Sequence, residues 1–277
     1  MSKTIDLKEK FFFAEGDSAY YDDTIELATP CYQFMHDTMI NILRHHFQLH
    51  FGDSSKEIKG IMLDIGAGTG MESISAMDAF PNMYALAIDL CAPMKNLFEQ
   101  NYLAKFGNNS EKRFRYIVDD ILSIDKEDKR LQSYFQSLNQ AACKAVISAH
   151  CIHHFSLEEK NTTYQKMYDL LEPGGILINI DVFTYESERI KQDAHNVDIN
   201  YIKNEFDNPR CADGNKIPKI SKEQRELLKN KWIEHMETAH CLETVEQRID
   251  LLRKMGFTEV ECIFRYWQQC VLRATKP

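Results

Sequence analysis

Apolar residues along this chain fall into short continuous runs separated by amphipathic stretches. Runs at 61–63, 83–88, 114–118, 145–149 and 176–183 are rich in residues that favour extended backbone. They read as strands, and their continuity is that of strands buried on both faces. Helical spacing fills the gaps between them. Residues 71–80 form a helix broken by Pro81-Asn82, and another segment begins near Ala92. The stretch 125–141 is charged and amphipathic. Residues 157–172 place Tyr164, Met167, Leu170 and Leu171 on one side, ended by Glu172-Pro173-Gly174-Gly175. Strand and helix in alternation predict an α/β architecture with a largely parallel sheet.

The two ends and one long interval differ from this rhythm. Residues 1–28 are polar and aromatic, and Phe11, Phe12 and Phe13 read as an anchor for a docking helix or as part of a lid. From Pro30 a helical pattern runs through Tyr32, Met35, Met39, Leu43 and Phe47. Residues 184–238 are polar, charged and mostly helical. They are too long for a simple connection, so they read as an inserted cap. After it come a helix at 243–255 closed by Gly256, then strands at 259–265 and 268–274.

The sharpest local signal is IMLDIGAGTG at 61–70. Gly66, Gly68 and Gly70 alternate directly after a strand that ends at Asp64. Such glycines admit positive φ and leave no Cβ between backbone and ligand. The G-x-G-x-G spacing is not the G-x-G-x-x-G of dinucleotide binders, and the Gly-Lys-Ser/Thr of a phosphate loop is missing. A tight strand-to-helix turn without a ligand is the plain alternative.

D-I-G-A-G-T-G resembles the first motif of class I S-adenosylmethionine-dependent methyltransferases, and the chain resembles their small-molecule branch from about residue 30 to its end. The resemblance implies a Rossmann-like, seven-stranded, mostly parallel sheet with helices on both faces, its last strand antiparallel, plus a helical cap. It implies S-adenosylmethionine as cofactor, held by Asp64, Gly66, Ala67, Gly68 and Gly70 of the loop. Asp89 ends the second strand, where a carboxylate suits both ribose hydroxyls; its alternative use is as an N-cap for the next helix. Leu90 and Met94 would flank the adenine. Asp120 with Ile121 matches the family's adenine contact better than Asp119, which reads as a turn residue. Ser148 and a lid residue, Tyr32, complete the expected set. Four segments follow from this reading: a lid at 1–55, the cofactor-binding core at 56–183, a cap at 184–240 and closing elements at 241–277.

The fourth strand runs into Ser148-Ala149-His150-Cys151-Ile152-His153-His154-Phe155. His150, His153 and His154 are candidate general bases, because an imidazole with pKa near 6.5 suits proton removal at neutral pH. A structural role for the pair is the alternative. The spacing H-C-x-H-H matches no zinc pattern and no distant ligand pair completes it, so no metal is expected. In the cap, Trp232, His235, Met236 and His240 are plausible pocket residues.

Composition narrows the function further. The formal net charge of −9 argues against broad contact with nucleic-acid phosphate. Eight scattered cysteines without a C-x-x-C pair, and a charged start without a signal sequence, suggest a reduced, soluble, cytoplasmic protein. The oligomeric state stays open. The expected reaction is in-line methyl transfer to a small-molecule acceptor by proximity and orientation, which requires no invariant base. Three rivals stand beside it. D-D-T-I-E-L-A-T-P-C-Y and T-V-E-Q-R-I-D-L-L-R-K-M-G-F are similar to carboxy-S-adenosylmethionine synthases, with Arg265 as a weak candidate for the carboxylate-binding residue; a tRNA-modification enzyme of the same fold is related to this. The third is a catalytically silent cofactor-binding domain, against which the intact Asp64, Asp89 and Asp120 argue.

Overall fold

The computed structural model describes residues 18–52, 57–108, 111–209, 220–238 and 241–277. Phe11–Phe13 and His240 lie outside them. A seven-stranded sheet forms the centre, in the order β3-β2-β1-β4-β5-β7-β6. Its strands are β1 (Gly60–Ile65), β2 (Met83–Asp89), β3 (Phe114–Val118), β4 (Cys143–Ala149), β5 (Leu171–Val182), β6 (Thr258–Tyr266) and β7 (Gln269–Thr275). β1 to β5 pair in parallel, and β7 runs antiparallel to both β5 and β6. The order reverses between β1 and β4, which opens a crevice at the carboxyl ends of the strands.

Alternation along β1 shows why its apolar run is unbroken. Ile61, Leu63 and Ile65 pack into the core on one face, with Tyr134 and Phe135 of α5 (Lys129–Ser137), Tyr164 and Met167 of α6 (Leu157–Leu170), and Leu252 of α9 (Val245–Lys254). Met62 points to the other face, against Met35, Met39, Leu43 and Phe47 of α2 (Tyr32–Phe51) and Ala76 of α3 (Met71–Ala79). Those four α2 residues recur every fourth position, which lines them along one stripe of a helix. α4 (Ala92–Phe106) covers the β2–β3 end through Phe98 and Tyr102.

Two local expectations shift. The polar, aromatic N-terminal stretch contains a helix of its own, α1 (Tyr21–Ala28), and α2 begins at Tyr32, not at Pro30. The chain turns between them at Cys31, with φ of 60°. The Leu171-to-Gly175 segment belongs to β5. Pro173 disfavours helical backbone at Glu172, so α6 stops at Leu170 and Leu171 already pairs with Cys143. The register then shifts before Ala145 pairs with Ile176, so the Pro-Gly-Gly segment is a bulge within the pairing. Gly174 has φ of 78° there and donates its N–H to the Lys276 carbonyl.

The interval after β5 forms α7 (Glu188–Asp207) and α8 (Lys222–Thr238). Ile202 and Phe206 of α7 and Leu228 and Trp232 of α8 share one apolar cluster with Ile25, Leu27 and Ala28 of α1. The N-terminal helix and the cap therefore close over the crevice together. No described helix is long and apolar enough to cross a membrane.

α9 opens with a capping box between Thr244 and Gln247. From its first turn, fully buried Arg248 makes a bidentate pair with Glu243 at 2.8 and 2.9 Å, bonds Asn161 Oδ1 at 3.1 Å and stacks over Tyr164. Removing the guanidinium strands a buried carboxylate, which costs about 3–5 kcal/mol. Arg248→Ala is expected to lower stability by about that amount in urea unfolding.

Candidate active site

The loop after β1 is pinned to β2 by its own backbone: Gly66 and Ala67 donate N–H bonds to the Ile88 carbonyl at 2.9 and 3.2 Å. Its glycines have different tasks. A Cβ at Gly66 would lie 2.3 Å from Cys151 Sγ, and one at Gly70 would lie 2.4 Å from the Phe98 ring. These two positions are closed by packing. At Gly68, where φ is 49°, a Cβ would meet nothing nearer than the Gly66 oxygen at 3.9 Å. Gly68 thus presents bare backbone to the crevice.

Asp89 faces that backbone. Its carboxylate accepts Gly68 N–H at 2.8 Å and Cys91 N–H at 2.7 Å. Burial pushes its pKa up, and the two N–H donors oppose the shift. The bond to Cys91 also orients the entry to α4, whose N-cap position is Cys91 and not Asp89. From α1, Asp22 accepts Thr69 Oγ1–H at 2.5 Å and Asn101 Nδ2–H at 2.8 Å. The lid helix is thereby clamped to the loop.

A continuous cavity starts at Gly66, Gly68, Asp89, Leu90 and Met94, passes Asp119, Asp120 and Ile121, and reaches His150, His153, His154, Trp232, His235 and Met236. The cavity brings together most residues singled out from the sequence. Asp119 is held as a turn residue by Asp120 N–H, Ser123 and Arg130, while the Asp120 carboxylate accepts Leu122 N–H at 2.9 Å.

Asp64, Ala67, Gly70, Ser148 and Tyr32 do not line the cavity. Asp64 is fully buried and accepts Ser73 Oγ–H at 2.6 Å, tying β1 to α3. Ser148 donates to the Ile65 carbonyl at 2.8 Å. Tyr32 is buried behind His150, ring centroids 5.9 Å apart. Tyr21, Ile25, Ala28 and Thr29 cover the cavity in its place. Within the polar, aromatic stretch no motif singles these four out; the Tyr20-Tyr21 pair followed by acids is the available signal.

The turn after β4 is built around one unusual backbone position and one buried imidazole–carboxyl pair. His150 has φ of 48° and donates its N–H to the Ile180 carbonyl at 2.8 Å. His153 follows in a single helical turn (Ile152–His154), and Asp181 of β5 accepts both its Nδ1–H and, at 3.1 Å, its backbone N–H. Val182 N–H also points to Asp181 Oδ1 at 2.9 Å. Burial lowers the pKa of His150 to about 4 and holds His153 well below the usual imidazole range. Both rings are neutral at neutral pH, and His150 is a weak base.

A buried ion pair behind the loop was not foreseen. His36 of α2 donates Nδ1–H to the Tyr32 carbonyl at 2.9 Å, and its Nε2 meets Glu72 Oε1 of α3 at 2.5 Å. Burial disfavours the His36 charge, but Glu72 outweighs it and raises the pKa above 6.5. Burial likewise opposes the Glu72 charge, and His36 outweighs it and lowers that pKa below 4.5. The His36 contribution is complete below its unfolded value and fades as pH rises through its folded value; that of Glu72 fades as pH falls through its folded value. In NMR titration the His36 midpoint is expected above 6.5, and Glu72→Gln is expected to bring it down.

Residues 62–175 match the family profile described as a methyltransferase domain. The carboxy-S-adenosyl-L-methionine synthase of Nautilia profundicola is 20% identical over 264 residues, covering 94% of this chain and 92% of that protein. Magnesium protoporphyrin IX methyltransferase from Synechocystis PCC 6803, solved with bound SAM, superposes with a TM-score of 0.57 at 11% identity over 100% of both chains. The DszA carbon methyltransferase superposes with a TM-score of 0.57 at 14% identity, over 96% of this chain and 59% of its own. The chain spans just over half the length of several solved structures it matches, 54% in the case of the methyltransferase SibL. At these identities the structural likeness is one of fold, and it agrees with the sheet order and the glycine loop. The profile match covers the β1–β5 part of the sheet, and the structural likeness extends over the fold as a whole.

Proposed function

We propose that the chain transfers the methyl group of S-adenosylmethionine to a small-molecule acceptor held under the cap formed by α1, α7 and α8. The observation that carries this reading is the single cavity joining the Gly68–Asp89 end to the histidine and Trp232 end. The residues fit the cofactor. The Asp89 oxygens, already aimed by Gly68 and Cys91, have lone pairs left for two ribose hydroxyls. Half-exposed Leu90 and buried Met94 offer apolar surface to a base, and Asp120 with Ile121 lies next to them.

S-adenosylmethionine supplies a methyl carbon activated by its sulfonium, and the protein's part is alignment and exclusion of water. Val182 and Ile25 add apolar lining to the cavity. His150 Nε2 is buried and has no hydrogen-bond partner among the described residues. A neutral imidazole with a pKa near 4 takes a proton only from an acidic acceptor. The proposal includes a cytoplasmic setting, supported by the free thiols Cys31, Cys91, Cys143, Cys151, Cys241, Cys262 and Cys270.

A second reading, synthesis of carboxy-S-adenosylmethionine, is favoured by the near full-length likeness to the Nautilia profundicola enzyme. The cavity weighs against it. No Lys or Arg is among the described residues lining the cavity to hold a substrate carboxylate. Arg265 is committed elsewhere, bonding the Trp267 and Thr184 carbonyls at 3.2 and 3.0 Å and stacking over Tyr185.

Isothermal titration with S-adenosylmethionine, S-adenosylhomocysteine and NADH tests the cofactor assignment. Binding at roughly micromolar Kd, about 8 kcal/mol, is expected for the first two and none for the third. Asp89→Ala is expected to weaken binding at least about tenfold, or 1.4 kcal/mol, in protein that remains folded. Unchanged affinity in the folded variant removes Asp89 from the site.

A further inference from the structure

We propose that His153, His154 and His235 bind one divalent transition-metal ion of the zinc class at the acceptor end of the cavity. Their ligand nitrogens lie within 4.8 Å of one another. A tetrahedral ion with metal–nitrogen bonds of about 2.0–2.1 Å needs nitrogens about 3.3 Å apart, a gap that small imidazole rotations close. The rings are already adjacent: His153 and His154 have centroids 3.8 Å apart, and His154 and His235 5.1 Å apart.

The sequence shows two of these residues together and lacks a distant partner. The fold supplies it, since α8 brings His235 over the turn after β4. His153 is also prepared as a ligand. Its Nδ1–H is given to Asp181, whose oxygens accept two backbone N–H bonds as a carboxylate would. That fixes the tautomer with the lone pair on Nε2, the carboxylate–histidine arrangement that accompanies metal-bound imidazoles. Glu159 lines the same end, but its carboxylate is engaged in the α6 capping box with Ser156 N–H at 2.8 Å. Three neutral ligands and an open position are the pattern of a catalytic ion, not of a closed structural one. Phe155, Trp232 and Met236 line the same cavity. An acceptor oxygen or sulfur bound at the open position would lose its proton more readily. This last step rests on the methyl-transfer reading; metal binding itself does not.

A second cluster, His46, His50 and Glu259, serves as an internal control. His46 Nε2 is occupied by the Gly174 carbonyl at 2.8 Å, and Glu259 bonds Arg273 and Thr275. The test uses the full chain without a polyhistidine tag, stripped with chelator and titrated with Co²⁺ by visible absorption and with Zn²⁺ by calorimetry. One equivalent with the d–d bands of a four- or five-coordinate ion is expected. His235→Ala is expected to weaken it at least about tenfold, or 1.4 kcal/mol, while His50→Ala leaves it intact. A far-UV circular dichroism spectrum and urea midpoint like the parent's report that His235→Ala is folded. The proposal is overturned by no binding to the parent protein, by equal affinity in both His235→Ala and His154→Ala, or by loss in His50→Ala alone. Because the titration needs no S-adenosylmethionine, a failed metal site and a failed methyl-transfer reading give different results.

Discussion

Holding bare backbone against a half-buried carboxylate is the constraint on which the rest of this structure depends. Gly68 can approach Asp89 only because the loop around it is fixed from several sides. Ile88 takes two N–H groups of the loop, Tyr116 donates to the Gly68 carbonyl at 3.0 Å, and Cys151 and Phe98 fill the space where Cβ atoms at Gly66 and Gly70 would lie. Each contact comes from a different element. The site is therefore a product of the whole β1–β2–β3–β4 arrangement, and its geometry is only as firm as the helical layers that hold those strands.

Charge buried behind the loop serves the same end. The His36–Glu72 pair joins α2 to α3, and Asp22 of α1 holds Thr69 and Asn101. A buried pair gains little net stability, because desolvation offsets much of the attraction, but it penalises any arrangement that separates its members. Here that arrangement would be α2 displaced from α3; Asp22, on the exposed face of α1, adds hydrogen bonds and not a buried charge. The same logic applies at the other end, where Arg248 and Glu243 tie the closing helix to α6.

The cavity has two chemically distinct ends. One is made of backbone and carboxylates on rigid strand termini. The other mixes imidazoles from the β4 turn with aromatic and thioether side chains from a helix that arrives late in the chain. The matched profile covers residues 62–175, which include the first end and the β4-turn histidines but not Trp232, His235 and Met236 of α8.

The sequence by itself determined the alternating core, the Gly66–Gly68–Gly70 loop, the acid at the end of β2 and the cofactor class they imply. These are local signals: apolar continuity in a strand buried on both faces, and glycines where the chain needs positive φ, are set by a residue and its immediate neighbours. Tertiary structure alone decided which of those glycines has room for a Cβ, because that depends on Cys151 and Phe98, 85 and 28 residues downstream of the glycines they pack against. It also decided that Tyr21 and Ile25, not Tyr32, cover the cavity, that Arg265 is committed to backbone carbonyls, and that His235 joins His153 and His154. Such pairings are made by packing between distant elements, and no period or spacing along the chain encodes which of many surface faces will meet.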